Sequence, residues 1–377
     1  NQWRDVIDAY YEPFYSVKSV NAYSGAFKNP YWGTYGCTVF FGGGHAGGNY
    51  NGVIVAEYGA TAITYKRACN ATPWFGSGTD STTQLNNGSG LGTNAVTDLN
   101  YMESTIDGKP GAPHSYGCGD IVGPEYGGAD NGTFLRVLTA AVNRANDAGA
   151  VAAHRLPFTS TSGSGGAGNW ERVTNEYRTD LTSWAAPQLT AFVGPQQRVY
   201  IQTNNSTANV RWFDRNLSTW VNGSGATFGY DGADGFDSGA LFYVPSRGLL
   251  LCLYPVAGSL RIQWMDVTVT QPTLGGTATL STPIAVSDPW SAAAWCPDND
   301  RIIVGKEGLT GVYEVTIPST LSSTWTVDYA AFTTGGTFPL ETTGEGGNTY
   351  KKFAYDERIK SIVYQRTAAA SGDDTVY

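Results

Sequence analysis

Residues 238–266 read SGALFYVPSRGLLLCLYPVAGSLRIQWMD. Three apolar runs are joined by two short polar turns, which fits three antiparallel strands. The same unit recurs at 188–214 (QLTAFVGPQQRVYIQTNNSTANVRWFD), at 291–317 (SAAAWCPDNDRIIVGKEGLTGVYEVTI) and at 351–377 (KKFAYDERIKSIVYQRTAAASGDDTVY). Such a unit cannot bury its apolar faces alone and has to stack against copies of itself. A strand-built period of roughly 40 to 50 residues, repeated five or six times, predicts a β-propeller. The repeat decides the architecture and leaves function open, because propellers host unrelated activities.

Composition agrees with an all-β fold. The chain has 377 residues, enough to bury a large core, and is read as a single domain, 1–377. Charged residues make up 15%, against roughly 25% in ordinary globular chains. Gly (48), Tyr (23) and Trp (11) are abundant and Met (2) is scarce, as many short strands and turns require. The net charge of −9 and the lack of a basic stripe argue against a nucleic-acid partner. No apolar run reaches about 18 residues, so no membrane insertion is expected. The chain opens at Asn1 without Met and closes on DDTVY, an expectation of a processed product or a piece of a longer chain.

The sharpest local motif is FFGGGHAGGNYNGVIVAEYGATAITYKR at 40–67. A glycine cluster, Gly42 to Gly44, follows an apolar strand. Tyr58 and Tyr65 then stand seven residues apart, and Phe213 and Trp220 repeat that spacing in WFDRNLSTW. Glycines permit close backbone approach and positive φ, and aromatics on neighbouring strands pack on each other. This pattern resembles the kelch repeat. Tyr313 and Trp325 give a longer-spaced version, and Trp264 has no evident partner. GGGH at 42–45 and PHSYG at 113–117 together resemble two motifs of kelch-like proteins related to the galactose oxidase propeller, a type common in bacteria and phages. The resemblance implies a kelch-type propeller of six blades, or seven as the alternative. The last unit is short of a strand, so residues 1–20 are expected to close the ring against it.

Residues 70–112 form a long polar stretch, and 159–169 and 223–239 also read as exposed loops. Residues 134–149 read as an irregular strand. The five cysteines, at 37, 69, 118, 252 and 296, show no CxxC spacing and are read as buried core residues, with a bridge from Cys37 to Cys69 or Cys118 as the alternative. Asn-X-Ser/Thr sequons at Asn70, Asn87, Asn131, Asn204, Asn205, Asn216 and Asn222 are glycan acceptors if the chain is secreted, though this composition generates sequons by chance.

Few residues form a chemical constellation. His45, His114 and His154 are the three histidines; they fall in the first two units and their residue type suits zinc or copper. Galactose oxidase pairs copper with two His and a Tyr cross-linked to Cys. Here there is no late His, so that chemistry is not expected, and His45 and His114 are read as bonding backbone at blade corners. Asp231, Asp234 and Asp237 in DGADGFDSG offer oxygen ligands that would suit calcium, but they do not follow the EF-hand pattern and read first as a solvated turn. Asp298 and Asp300 read as a strand-connecting turn. No nucleophile elbow, P-loop or dinucleotide fingerprint occurs, and no glycosidase carboxylate pair can be placed. Trp32, Trp74, Tyr31, Tyr35, Tyr50 and Tyr116 lie near expected loops, where rings either stack on sugars or fill blade interfaces.

The expectation is therefore a non-enzymatic recognition or structural module, outside the cell or on a virion (a tail fibre, for instance), that oligomerises or binds a glycan or a neighbouring subunit. Its ligand-binding residues would be His45, His114, Tyr116, Trp32 and Trp74; no cofactor is expected, with calcium at Asp231, Asp234 and Asp237 as the alternative. The alternatives are a carbohydrate-active oxidase or lyase using the His45 and His114 face, and an intracellular kelch adaptor.

Overall fold

The structure is a computed structural model and describes residues 25–41, 52–70, 110, 117–139, 150–159, 170–177, 187–203, 209–229, 239–286, 291–306, 308–333, 351 and 353–364. It is a β-propeller. Blade one is formed by β1 (Gly25–Asn29), β2 (Cys37–Phe41), β3 (Val53–Tyr58) and β4 (Ile63–Cys69). Blade two contains β5 (Gly119–Val122), β6 (Thr133–Thr139), β7 (Ala150–Pro157) and β8 (Glu171–Tyr177). Blade three contains β9 (Pro187–Val193), β10 (Arg198–Thr203), β11 (Asn209–Asp214) and β12 (Thr219–Ala226). Blade four contains β13 (Ala240–Val244), β14 (Leu249–Val256), β15 (Ser259–Asp266) and β16 (Leu274–Thr277). Blade five contains β18 (Ser291–Cys296), β19 (Arg301–Lys306), β20 (Gly311–Thr316) and β21 (Thr324–Ala331), with the short β17 (Thr279–Leu280) added parallel to β21. A two-stranded sheet, β22 (Phe353–Asp356) and β23 (Ser361–Tyr364), follows.

Within each blade, neighbouring strands pair antiparallel in chain order, the meander that short turns enforce. The first strand of each unit is innermost, and β1, β5, β9, β13, β18 and β22 meet around one axis. Five blades are present among the described residues, not six or seven. The last unit contributes two strands there, and this half-sheet sits as a wedge between blades five and one. The expected closure by residues 1–20 lies outside the described residues, as do the Gly42–His45 and Pro113–Gly117 motifs behind the kelch resemblance.

The three-run units quoted from the sequence end before the fourth strand of each blade, which only the aromatic spacing of the kelch comparison implied. β12 runs to Ala226, so the first residues of the stretch read as a 223–239 loop are strand. Residues 133–139 form strand β6, and the remainder of the 134–149 stretch read as an irregular strand lies outside the described residues. The turn between β18 and β19 spans 297–300 and carries Asp298 and Asp300, as the sequence reading placed them, with Asp300 at φ 52°.

Alternating residues fill the spaces between blades. Phe27, Phe41, Phe134 and Phe158 join blades one and two, and Leu251, Ile262, Val304 and Trp325 join blades four and five. All five cysteines are buried free thiols, so the core reading holds and no Cys37 bridge forms. Phe213 and Trp220 are register partners with ring centroids 5.6 Å apart. Tyr58 and Tyr65 are not: Tyr58 stands opposite Ile63, Tyr65 stands opposite Ala56, and the Tyr58 hydroxyl bonds that of Thr38. Tyr313 packs on Tyr329 at 5.3 Å, while Trp325 is buried in the core. Trp264 proves to have a partner in backbone: an added Cβ on Gly275 of β16 would lie 1.9 Å from its Cζ3, so the indole needs glycine beside it.

Side chains also cross every junction of the ring near the turns. Tyr31 Oη donates to Glu125 Oε1 at 2.5 Å between blades one and two. Arg215 Nη1 donates to the Tyr126 carbonyl at 2.8 Å between two and three. Arg198 Nη1 donates to the Thr270 carbonyl at 2.9 Å between three and four. Arg247 Nη2 lies 2.7 Å from Asp300 Oδ2 between four and five. Lys360 Nζ lies 2.8 Å from Asp298 Oδ1 between five and the wedge. Arg358 Nη1 donates to the Gly33 and Thr34 carbonyls at 2.8 and 3.0 Å between the wedge and blade one.

Candidate functional site

The innermost strands enclose a cavity of about 340 Å³ on the ring axis. Every unit but the second supplies a small residue and a larger one. Ala26, Phe27 and Lys28 come from β1, Asp120 from β5, and Ala191 and Phe192 from β9. Ala240 to Tyr243 come from β13, Ala293 to Trp295 from β18, and Phe353 to Tyr355 from β22. Strands converge at the axis, so alanine is placed where bulk would clash, and an aromatic neighbour then fills the gap between strands.

Of the charged groups on this wall, Lys28, Asp120, Lys351 and Glu357, the first three are tethered to the protein. Lys351, at φ 64°, enters from just before β22. Its Nζ reaches past β1, 5.4 Å from the Phe27 ring centroid, to Asp120 Oδ2 at 3.0 Å and the Gly119 carbonyl at 2.9 Å. Asp120 Oδ2 also accepts the Phe192 amide at 2.8 Å, and Oδ1 accepts the Ile121 amide at 2.9 Å. Lys28 Nζ donates to the Tyr355 carbonyl at 2.5 Å and lies 3.9 Å from Asp356 Oδ1. Burial pulls the Lys28 pKa below the ordinary lysine value despite Asp356. Tyr355 Oη donates to Asp298 Oδ2 at 2.7 Å, and burial with that bond pushes the phenol up; the bonds from Lys360 and Tyr355 hold the Asp298 carboxyl down.

Of the residues singled out in the sequence, Trp32 is buried, edge-on to Phe158 with centroids 5.4 Å apart. It fills a blade interface. Tyr35 is exposed and Tyr31 bonds Glu125. His45, His114, Tyr116, Trp74, Tyr50 and Asp231, Asp234 and Asp237 lie outside the described residues. His154 is fully buried on β7, opposite Arg136 and 6.4 Å from the Trp170 ring. Burial, then Arg136 and Arg172, depress its pKa well below the ordinary value, so it is neutral at pH 7. Among the described residues no group of three or more His, Cys, Asp or Glu is placed to hold a metal, and no helix is long and apolar enough to cross a membrane.

The axial residues were not singled out from the sequence, though a signal exists. Ala26-Phe27, Ala191-Phe192, Ala294-Trp295 and Ala354-Tyr355 are small–aromatic pairs, each placed just before the first turn of its unit.

No protein-family model matches the chain, and no curated protein matches it. Solved structures do. An auxiliary nutrient binding protein from Bacteroides ovatus is 11% identical with TM-score 0.42, over 94% of this chain and 71% of that one. A GH43 glycoside hydrolase engineered for endo-xylanase and exo-arabinofuranosidase activity is 12% identical with TM-score 0.40, over 82% of this chain and 52% of that one. A GH74 xyloglucanase from Xanthomonas campestris is 10% identical with TM-score 0.36, over 82% of this chain and 47% of that one. The chain thus spans about half the length of either hydrolase, and likeness at this level transfers no activity.

Proposed function

We propose that this chain is a non-enzymatic recognition propeller of the kelch type, displayed outside the cell or on a virion, that takes a neutral glycan at its axial cavity. One observation carries the reading. The cavity wall combines several aromatic faces with charged groups already bound to the protein: Lys351 to Asp120 and Lys28 to the Tyr355 carbonyl. Aromatic faces beside polar groups already fixed in place suit the rings and hydroxyls of a neutral sugar. The cavity volume, about 340 Å³, lies in the usual range for small-ligand sites, roughly 300 to 1,000 Å³. The stretches 70–112 and 159–169, read from the sequence as loops and lying almost wholly outside the described residues, are our candidates for a wider contact with a longer glycan or a neighbouring subunit.

The test is calorimetric titration of the full chain with a panel of neutral and acidic oligosaccharides. A neutral glycan should bind, weakly dependent on salt, and Trp295→Ala should weaken it by about tenfold or more, the scale of a buried aromatic contact. Indifference of all glycans to Trp295 would remove the cavity from the reading. Turnover of a sugar or alcohol, lost in His45→Ala, would replace it with an enzyme.

A further inference from the structure

We infer that the junction of blades two and three holds a binding site for a tetrahedral oxyanion, a phosphate or sulfate group. This goes beyond glycan recognition and stands without it. A second cavity, of about 80 Å³, lies at that junction and shares no wall residue with the axial one. A buried water needs about 10–15 Å³ of such space, so the room suits about five heavy atoms, those of one such anion. Apolar side chains from both blades form part of the wall, and Arg155, Arg215, Thr133 and Ser218 supply its polar groups.

Every polar side chain on this wall can donate. Arg215 is half-buried, and its Nη1 donates to the Tyr126 carbonyl at 2.8 Å and to Gln197 Oε1, both neutral acceptors. Its Nε and Nη2 donate to nothing among the described residues. Those two form the edge with which a guanidinium grips an oxyanion bidentately. Arg155 Nε and Nη2 meet Glu171 Oε2 at 2.6 and 2.5 Å, which leaves Nη1. Glu171 is not on the wall, and no carboxylate is among the described wall residues. Thr133 is buried and its Oγ1 accepts the Ala129 amide at 2.9 Å, so its hydroxyl proton is left to donate. Ser218, at φ 51° in the turn between β11 and β12, adds a second hydroxyl. Burial, then the Arg155 charge, pulls the Arg215 pKa below the ordinary value, a repulsion that an anion between the two guanidiniums would relieve. Thr133 and Arg155 come from blade two, Arg215 and Ser218 from blade three. Donors on both sides need acceptor oxygens that point in several directions, which a tetrahedral anion has.

The test titrates the full chain with sodium phosphate in a calorimeter at fixed ionic strength, with sodium chloride as the reference. Phosphate should bind at one site and saturate it, and sulfate should compete. Glucose 6-phosphate separates two sources: displacement of phosphate assigns the site to a monoester end, and failure to displace assigns it to the free ion. Arg215→Gln should weaken phosphate at least about tenfold, the scale of a lost bond to a charged group. Arg215 also joins the two blades, so a second variant decides should that one fail to fold. Ser218→Asp brings a carboxylate to the cavity on a residue type that tolerates a left-handed backbone. It should abolish phosphate binding while the chain stays folded. Heat no greater than that of chloride, or an affinity unchanged in the folded variants, would overturn the proposal.

Discussion

Lys351 and Asp120 meet across the axis at 3.0 Å, although blade one lies between their strands in the ring. The same carboxylate oxygen accepts the Phe192 amide, so Asp120 ties blades two and three to the segment that leads into the wedge. Both side chains are largely shielded from solvent, which limits screening of the pair. Asp120→Asn and Lys351→Met should therefore couple. A double-mutant cycle in denaturant should give an interaction of about 0.5–3 kcal/mol, the range for residues in one network. Simple additivity of the two changes would show that the crossing contact contributes nothing to the ring.

The Trp264 indole covers Gly275 where a Cβ would sit 1.9 Å from the ring. Gly275→Ala should destabilise the chain by about 1–3 kcal/mol through overpacking. Adding Trp264→Leu should return part of that loss by making room. A Gly275→Ala melt that matches the wild type would mean that the outer strand yields freely.

His154 links stability to acid. Its folded pKa is depressed below the 6.5 of the free side chain, so the unfolded chain binds the proton first. Its contribution is complete above pH 6.5 and declines as pH falls toward the folded value, by about 1.4 kcal/mol per pH unit for one proton. Chemical denaturation between pH 7 and 4 should show this slope, and His154→Gln should flatten it. An unchanged slope in the variant would assign the acid sensitivity to carboxylates.

Five buried free thiols give a direct check on the core. Burial pushes the Cys37 and Cys252 thiols well above the ordinary value, which removes reactive thiolate. Native protein should react slowly with a thiol reagent under non-reducing conditions, and unfolded protein should titrate all of them. Rapid labelling of Cys37 or Cys252 in the native state would contradict their placement.

The inner three strands of the repeat were legible because their signal is local. Runs such as LLLCLY and RIIVGK alternate with turns rich in Pro, Asp and Gly. Fourth strands were not, since β16 is only LGGT and β21 alternates exposed residues on the rim, where burial no longer writes a pattern. The blade count failed for a related reason: a repeat in sequence does not say how many strands it donates. The axial site depends on residues from all units meeting at one line. Lys28 and Asp120 are far apart in sequence, and neither carries a motif that marks it as a neighbour of the axis. Trp32 looked like a loop aromatic because glycine, proline and tyrosine surround it. Its burial against Phe158 follows from a partner in the next blade, which no local reading supplies.

The side-chain bonds that cross each junction have a consequence for how the molecule carries load. An arch depends on its keystone, and a clasped hoop depends on its clasp. Here every joint has its own stitch, from Tyr31 on Glu125 around to Arg358 on Gly33, and none of the six is the sole place where the circle is fastened. Strain put on one joint is passed to its neighbours. Severing Arg247 from Asp300 should then loosen the hoop by a small step, much as a rope tolerates one cut strand.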